Sequence, residues 1–225
     1  MIFWRFDDDV EIIIWKTDES VDETLLFFAP EIQEVHREKL ESIKYEKRRK
    51  EYLCARLLID IIAGEGQRVE YLESGRPYLT DCHKEISISH TKNYVAVIAD
   101  DDKRVAIDIE VFGKTVEKVK NRFCTQQELE YLSEDDDIRS LQLHLIWSAK
   151  ETAYKLLDEK GIYFEEHFHV LPFKLEKDGI MHCNVIKDNT VRNIKMAYKV
   201  FDDFVMVWAV GAIPCGCQDD HQYDN

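Results

Sequence analysis

The segment RVAIDIEV, Arg104–Val111, restricts the fold more than any other stretch of the sequence. A β-strand directs alternate side chains to opposite faces, so one face of this strand carries four apolar residues: Val105, Ile107, Ile109 and Val111. The other face carries two carboxylates, Asp108 and Glu110, beside Ala106. Such a strand either has one solvated face or contributes ligands to a site for a hard divalent cation. Both interpretations stay open on this segment alone.

The composition is that of a globular protein, and it limits the partners. The chain has 225 residues, enough for one large domain or two small ones, and is 45% hydrophobic and 33% charged. Its formal net charge of −15 argues against a nucleic-acid partner, because phosphate binding requires a basic surface. A local basic pocket is still compatible with this charge.

The sequence shows no sign of export or membrane insertion. No apolar run approaches the roughly 20 residues that a spanning helix needs, and the first residues lack the pattern of a signal peptide. The six cysteines are scattered, so we expect reduced thiols in a cytoplasmic protein. Cys215 and Cys217 lie in a polar terminal segment without a second ligand pair, so we expect a frayed tail rather than a metal site.

The order of periodic segments predicts an α+β fold. The start, MIFWRFDDDVEIIIW, predicts a pair of strands, and the end of the chain is again rich in strand-like segments. Helices are expected over three ranges: 36–63, 116–132 and 138–157. Runs at 86–89, 94–99 and 104–111 predict an antiparallel meander. We expect two α+β halves, 1–102 and 103–225, which meet near the turn at 100–103.

The segment WSAKETAYK places three functional side chains four residues apart on one helix face: Trp147, Glu151 and Lys155. An exposed ion pair between Glu151 and Lys155 is the simplest interpretation. If this helix instead crosses the strand at 104–111, Glu151 joins Asp108 and Glu110. Three carboxylates together with phosphate oxygens would suit Mg²⁺, with Lys155 placed to neutralise phosphate charge.

Basic side chains could complete a site for an anionic ligand. Arg49 and Arg56 are seven residues apart, so they share one face of the expected helix 36–63. Arg76 follows a glycine in the turn GRPYL, and His90 ends a strand in ISISHT. Taken singly, each has an ordinary solvated or structural interpretation. Taken together, they could hold phosphate groups. In RFCTQQE, Thr125 and Glu128 have the spacing of a capping box.

In this order and spacing, GRPYL, ISISHT, VAIDIE and WSAKETAYK, supported by RFCTQQE, resemble the 4′-phosphopantetheinyl transferase superfamily. The resemblance is to its larger, monomeric branch, typified by the surfactin-synthetase activator. It implies two similar α+β halves related by a pseudo-twofold, with coenzyme A in the cleft between them. It also implies a holo-acyl-carrier-protein synthase reaction, in which the phosphopantetheine arm moves to a serine of an apo acyl or peptidyl carrier protein. Adenosine 3′,5′-bisphosphate is released.

The resemblance also implies residue roles. Asp108, Glu110 and Glu151 are the ligands of Mg²⁺ or Mn²⁺, and Glu151, or a water that it orients, is the base for the carrier serine. Asp108, Glu151 and Lys155 form the catalytic set, and His90 lies near the 3′-phosphate. Coenzyme A is then bound by seven residues: Arg49, Arg56, Arg76, Ser89, His90, Lys150 and Lys155.

Two other functions fit the same residues. A non-catalytic protein on this scaffold would bind coenzyme A or a carrier without transfer, and a Mg²⁺-dependent phosphohydrolase would act without any carrier. The acidic surface would not attract an acidic carrier over long range, so we expect a local apolar or basic docking patch near the cleft. Whether the carrier serves fatty-acid, polyketide or non-ribosomal peptide synthesis stays open.

Overall fold

A computed structural model describes residues 1–7 and 10–211, which form a mixed α+β fold; Cys215 and Cys217 lie outside the described residues. The described strands are β1 (Ile2–Asp7), β2 (Glu11–Lys16), β3 (Val69–Tyr71), β4 (Pro77–Leu79), β5 (Glu85–Thr91), β6 (Tyr94–Asp100), β7 (Arg104–Val111), β8 (Phe168–Val170), β9 (Asp178–Lys187), β10 (Thr190–Val200) and β11 (Phe204–Gly211). The helices are α1 (Val21–Leu25), α2 (Pro30–Glu41), α3 (Glu46–Ala63), α4 (Thr115–Val119), α5 (Gln126–Glu130), α6 (Asp136–Leu157) and α7 (Phe164–His167), with a 3-10 turn at Lys120–Arg122. No helix in these ranges is long and apolar enough to cross a membrane.

The strands form two large antiparallel sheets and a small one. The first sheet has the order β1-β2-β6-β5, the second has the order β7-β11-β10-β9-β8, and β3 pairs with β4. Helix α3 packs on the first sheet and α6 packs on the second. All strands of the first sheet precede Arg104, and the second sheet begins with it. The division at 102/103 and the pseudo-twofold relation stay predictions.

A third apolar cluster fills the space between the two large sheets. It joins Ile12, Ile14 and Ile98 of the first sheet to Ile107 and Ile109 of the second, among other residues. Strands β2, β6 and β7 are therefore covered on both faces, which accounts for their nearly continuous hydrophobic runs.

The carboxylate face of β7 is also buried, so the interpretation as a strand with a solvated face is wrong. Ala106 is completely buried against α6, and Asp108 is only 6% exposed. Glu110 is half-buried near the end of the strand. Two acidic side chains are thus held inside the molecule, where each needs a compensating partner.

The expected meander is only half correct. Strands β5 and β6 form the predicted hairpin, but β7 leaves the first sheet and pairs with β11 along its whole length. The predicted pair of N-terminal strands is confirmed as β1 and β2. Sequence patterns identified the strands at 85–111 but not the partner of β7, because that partner lies about 100 residues further along the chain.

The single helix expected over 36–63 is in fact two helices. Helix α2 ends at Glu41, α3 begins at Glu46, and the Ser42 hydroxyl donates to the Lys39 carbonyl at 2.7 Å. A hydroxyl that binds nearby backbone competes with the helical hydrogen bonds, which favours a helix end at this residue.

The helix expected over 116–132 is likewise interrupted, by the 3-10 turn and a new start at Thr125. The predicted capping box is confirmed, since the side chains of Thr125 and Glu128 each accept from the other residue's backbone N–H. The helix predicted at 138–157 is confirmed as α6, which begins two residues earlier, at Asp136.

Candidate active site

Among Asp108, Glu110 and Glu151, the carboxylate of Asp108 is the most buried. Its Oδ1 accepts from the Ser89 hydroxyl at 2.9 Å and from the Lys155 ammonium at 2.8 Å. Its Oδ2 is buried and has no hydrogen-bond partner within residues 1–7 and 10–211. A buried carboxylate oxygen without a donor is unfavourable, so this atom lies where a positive ligand would stabilise it.

Glu110 lies two residues further along the same face of β7. The Thr91 hydroxyl donates to its Oε2 at 3.4 Å. Burial, and then the negative charge of Asp108, raise the pKa of Glu110, while Lys92 and Lys47 act in the opposite direction. The two carboxylates of β7 therefore repel each other across a partly dry face.

Glu151 brings a third negative charge from α6. Burial, and after it the charges of Asp108 and Glu110, raise the pKa of Glu151 to about 7, although Lys155 opposes the shift. Lys155 itself donates to the Ile107 carbonyl at 3.0 Å and to Asp108. The face of α6 that bears Glu151 and Lys155 thus lies over β7, which is the convergence that the sequence suggested.

The three acids carry more negative charge than Lys155 neutralises. Nevertheless, across residues 1–7 and 10–211, no three His, Cys, Asp or Glu side chains form a group that could hold a metal ion as they stand. The unpartnered Oδ2 of Asp108 and the raised pKa values of Glu110 and Glu151 still fit a bound cation. A divalent cation between them would offset both the burial and the repulsion.

A cationic cluster lies at the end of β5. Arg48 Nη1 contacts His90 Nε2 at 3.1 Å and donates to Glu51 Oε2 at 2.8 Å. His90 Nδ1 is 3.7 Å from Glu51 Oε1, and Lys47 Nζ is 3.5 Å from the same carboxylate oxygen. The positive charges of Lys47 and Lys92 both act to lower the pKa of Glu110, so the cluster borders the acidic residues.

Arg48 is the functional candidate that the sequence pattern missed. The expected register assigned Arg49, but the Arg49 Nε donates to the Ile43 carbonyl at 2.7 Å and so ties α3 to the preceding loop. Arg56 is buried, with its guanidinium 4.9 Å from the ring of Tyr52 and 6.0 Å from that of Tyr71. The basic run at the start of α3 indicated an anion-binding residue in this region. The break between α2 and α3 determines that Arg48, rather than Arg49, faces His90.

The other predicted coenzyme-binding residues lie in different surroundings. Arg76 pairs with Glu85 at the start of β5. Ser89 is buried and engages Asp108, as described above. Lys150 is completely buried, and its ammonium donates to Glu128 at 2.7 Å and to the carbonyls of Phe123 and Phe164 at 2.5 and 3.1 Å.

Lys150 therefore has no donor left for a phosphate, since an ammonium has three protons. Glu128 is equally buried and also accepts from the Val170 backbone N–H at 2.7 Å. The structure thus gives Lys150 a place in an internal ion pair that joins α5, α6 and β8, rather than a place in the site.

Residues 104–209 match the family model of the 4′-phosphopantetheinyl transferase superfamily. This part of the chain is a domain of that superfamily. The matched segment contains Asp108, Glu110, Glu151 and Lys155, whereas Ser89 and the cationic cluster precede it. Comparison with curated proteins finds no matching sequence. At the level of the superfamily, the activity is phosphopantetheinyl transfer, with coenzyme A and a carrier protein as substrates. The match does not distinguish the surfactin-synthetase-activator branch from others.

Proposed function

We propose that this protein transfers the 4′-phosphopantetheine arm of coenzyme A to a serine hydroxyl of an apo acyl or peptidyl carrier protein. The reaction depends on Mg²⁺ or Mn²⁺ and releases adenosine 3′,5′-bisphosphate. The observation that carries the proposal is the buried, unpartnered Oδ2 of Asp108 beside Glu110 and Glu151, inside the segment that matches the superfamily.

Asp108, Glu110 and Glu151 are the residues that would hold the metal. When bound, a divalent cation would shield the charge of the coenzyme diphosphate and stabilise the departing phosphate. The Oδ1 of Asp108 is already engaged by Ser89 and Lys155, which leaves Oδ2 as the free donor atom. One carboxylate oxygen is thus held in place by the protein while the other is left for a cation, which supports the role of Asp108 as a metal ligand.

Glu151 is the proposed base for the carrier serine, directly or through a water that it orients. Burial and the neighbouring carboxylates raise the pKa of Glu151 to about 7 while no cation is bound. A bound cation would counter this shift and leave the carboxylate deprotonated, able to accept the serine proton. Lys155, held against Asp108 and the Ile107 carbonyl, supplies positive charge for the phosphate chain.

The cationic cluster is the proposed subsite for the 3′-phosphate of the coenzyme. Arg48 and His90 are in contact, and His90 is 42% exposed, so it can meet a ligand. Lys47 and Lys92 add charge nearby. We assign the 3′-phosphate to this cluster, with Arg48 in the role that the resemblance assigned to Arg49. Phosphate binding by grouped cations is possible despite the net charge of −15, because the field is local.

The carrier is proposed to dock on a local apolar or basic patch beside the cleft, and the protein is proposed to act as a cytoplasmic monomer. At a net charge of −15, the protein would not attract an acidic carrier over long range. Carrier affinity should fall when acidic residues are introduced around the cleft, and an unchanged affinity would contradict this docking mode.

The transfer itself is tested with Mg²⁺, coenzyme A and a panel of apo carrier proteins. We expect mass spectrometry to show an adduct of roughly 340 Da on a carrier serine, as this group transfer requires. Asp108→Ala and Glu151→Ala should abolish the adduct, whereas the matched control Glu134→Ala, at an exposed acid, should not.

The remaining outcomes separate the alternatives. Coenzyme A binding without an adduct on any carrier would identify a binding protein. Release of phosphate or nucleotide without a carrier would identify a phosphohydrolase. Near-normal transfer by both alanine variants would contradict the assignment of the site.

A further inference from the structure

Three hydroxyls of β5 bind the free backbone edge of β7. Among the described strands, β5 is an edge strand of the first sheet and β7 an edge strand of the second, so neither pairs with a further strand on this side. Each hydroxyl accepts from a β7 amide 20 residues later: Ser87 from Ile107 at 3.3 Å, Ser89 from Ile109 at 3.2 Å, and Thr91 from Val111 at 3.3 Å. Side chains thus satisfy amides that a neighbouring strand would otherwise satisfy.

Two of these hydroxyls make a second contact that the third does not. Ser89 donates to Asp108 Oδ1 at 2.9 Å, and Thr91 donates to Glu110 Oε2 at 3.4 Å. A hydroxyl has one proton and two lone pairs, so it can accept from an amide and donate to a carboxylate at once. At the equivalent place beside Ser87, β7 carries Ala106, which offers no acceptor.

We infer that Ser89 and Thr91 are positioning residues, which orient Asp108 and Glu110 toward the metal that the proposed function requires. Ser89 and Lys155 engage Oδ1 of Asp108 and so leave Oδ2 for the cation. Hydrogen-bond partners of ligating carboxylates commonly contribute ten- to hundredfold to metal affinity. Ser89 therefore acts on the carboxylate, not on the coenzyme, to which the sequence resemblance had assigned it.

The positioning also links the two sheets. The hydroxyls belong to the first sheet and the carboxylates to the second, so the orientation of the ligands depends on the contact between β5 and β7. The superfamily match begins at residue 104 and does not include β5. The part of the chain outside the matched domain thus supplies the groups that fix its carboxylates.

Four variants of the full-length protein separate positioning from a purely structural role. Ser89→Ala and Thr91→Val remove both contacts, Thr91→Ser keeps them, and Ser87→Ala removes only the contact to a β7 amide. The measurement is the Mn²⁺ dissociation constant from electron paramagnetic resonance, with no coenzyme or carrier present, together with the thermal midpoint.

We expect Mn²⁺ to bind about tenfold more weakly to Ser89→Ala and Thr91→Val, the lower end of the usual range because Lys155 still holds Asp108. Thr91→Ser should stay within about twofold of the parent, since the hydroxyl is retained. Ser87→Ala should lower the thermal midpoint, because it leaves one buried amide without an acceptor, and Ser89→Ala should lower it at least as much, because it also removes a donor to Asp108. Ser87→Ala should leave the Mn²⁺ dissociation constant unchanged, because Ser87 contacts no carboxylate of β7.

Equal weakening by Ser87→Ala and Ser89→Ala would overturn the inference, because the contact between the strands alone would then explain the effect. Unchanged affinity in Ser89→Ala and Thr91→Val would overturn it as well. Asp108→Ala distinguishes this failure from a failure of the proposed function. If it binds Mn²⁺ poorly while Ser89→Ala binds normally, only the positioning role is refuted. If Asp108→Ala binds as the parent does, the metal site is refuted with it.

Discussion

Replacing Lys150 with methionine should destabilise the protein strongly without a specific loss of coenzyme affinity. The ammonium of Lys150 is completely buried and donates to Glu128 and to two backbone carbonyls. Methionine fills a similar volume but provides no donor. The Glu128 carboxylate would then keep only the backbone N–H groups of Thr125 and Val170 as donors.

The expected magnitude follows from these contacts. Removing one partner of a buried ion pair typically costs about 3–5 kcal/mol, because the remaining charge stays in a low-dielectric interior. The carbonyls of Phe123 and Phe164 also lose a donor, which places the effect at the upper part of this range. For a chain of 225 residues, a loss of about 4–5 kcal/mol lowers the melting temperature by roughly 8–20 °C.

Urea unfolding gives the free energy, and calorimetric titration of the folded protein gives the coenzyme affinity. The control Lys195→Met, at an exposed lysine of β10, should change stability by less than about 0.5 kcal/mol. The double variant Lys150→Met with Glu128→Gln should recover part of the stability, since no buried charge remains unpaired. A Lys150→Met protein that melts like the parent but binds coenzyme A poorly would refute this reasoning.

Three further predictions concern the scaffold. Burial lowers the pKa of His36 to about 4, so between pH 6.5 and 4 the unfolded chain takes up a proton that the folded protein does not. Urea unfolding should therefore show about 1–2 kcal/mol less stability at pH 5 than at pH 7 from this residue, and a His36→Gln variant that keeps the same slope would contradict it. Gly179→Ala would place a Cβ 2.5 Å from the Tyr198 hydroxyl oxygen and should destabilise by about 2 kcal/mol, as measured by thermal melting; an unchanged midpoint would show that the ring can move. Thr125→Ala should cost about 1 kcal/mol in the same assay by removing the cap of α5, with Thr125→Ser as a control that retains it.

Local patterns in the sequence predicted most elements of this fold and the residues of its acidic site. The alternation in β7, the four-residue spacing in α6 and the capping box of α5 depend on near neighbours in the chain, and each is found in the structure. The pairing of β7 with β11 depends on contacts far apart in sequence, which no local pattern encodes.

The site residues divide in the same way. Glu151 and Lys155 were predictable as one helix face, and Asp108 and Glu110 as one strand face. Lys150 belongs to the same helix but points into the core, where its ammonium donates a hydrogen bond to Glu128 of α5. That difference between neighbouring lysines is set by tertiary packing, which the sequence alone does not show.

The contact between β5 and β7 also removes two open strand edges from solvent. Unpaired edges recruit other strands and cause aggregation, so proteins cover, shorten or distort them. Of the large sheets in residues 1–7 and 10–211, the outermost strands that remain are β8, which has three residues, and β1, whose pairing is irregular near Ile2. Separating the chain at 102/103 would expose the long, apolar edges of β5 and β7 in both fragments. Fragments made in this way are expected to associate through those edges. In the intact chain, each part protects the other from intermolecular β-pairing.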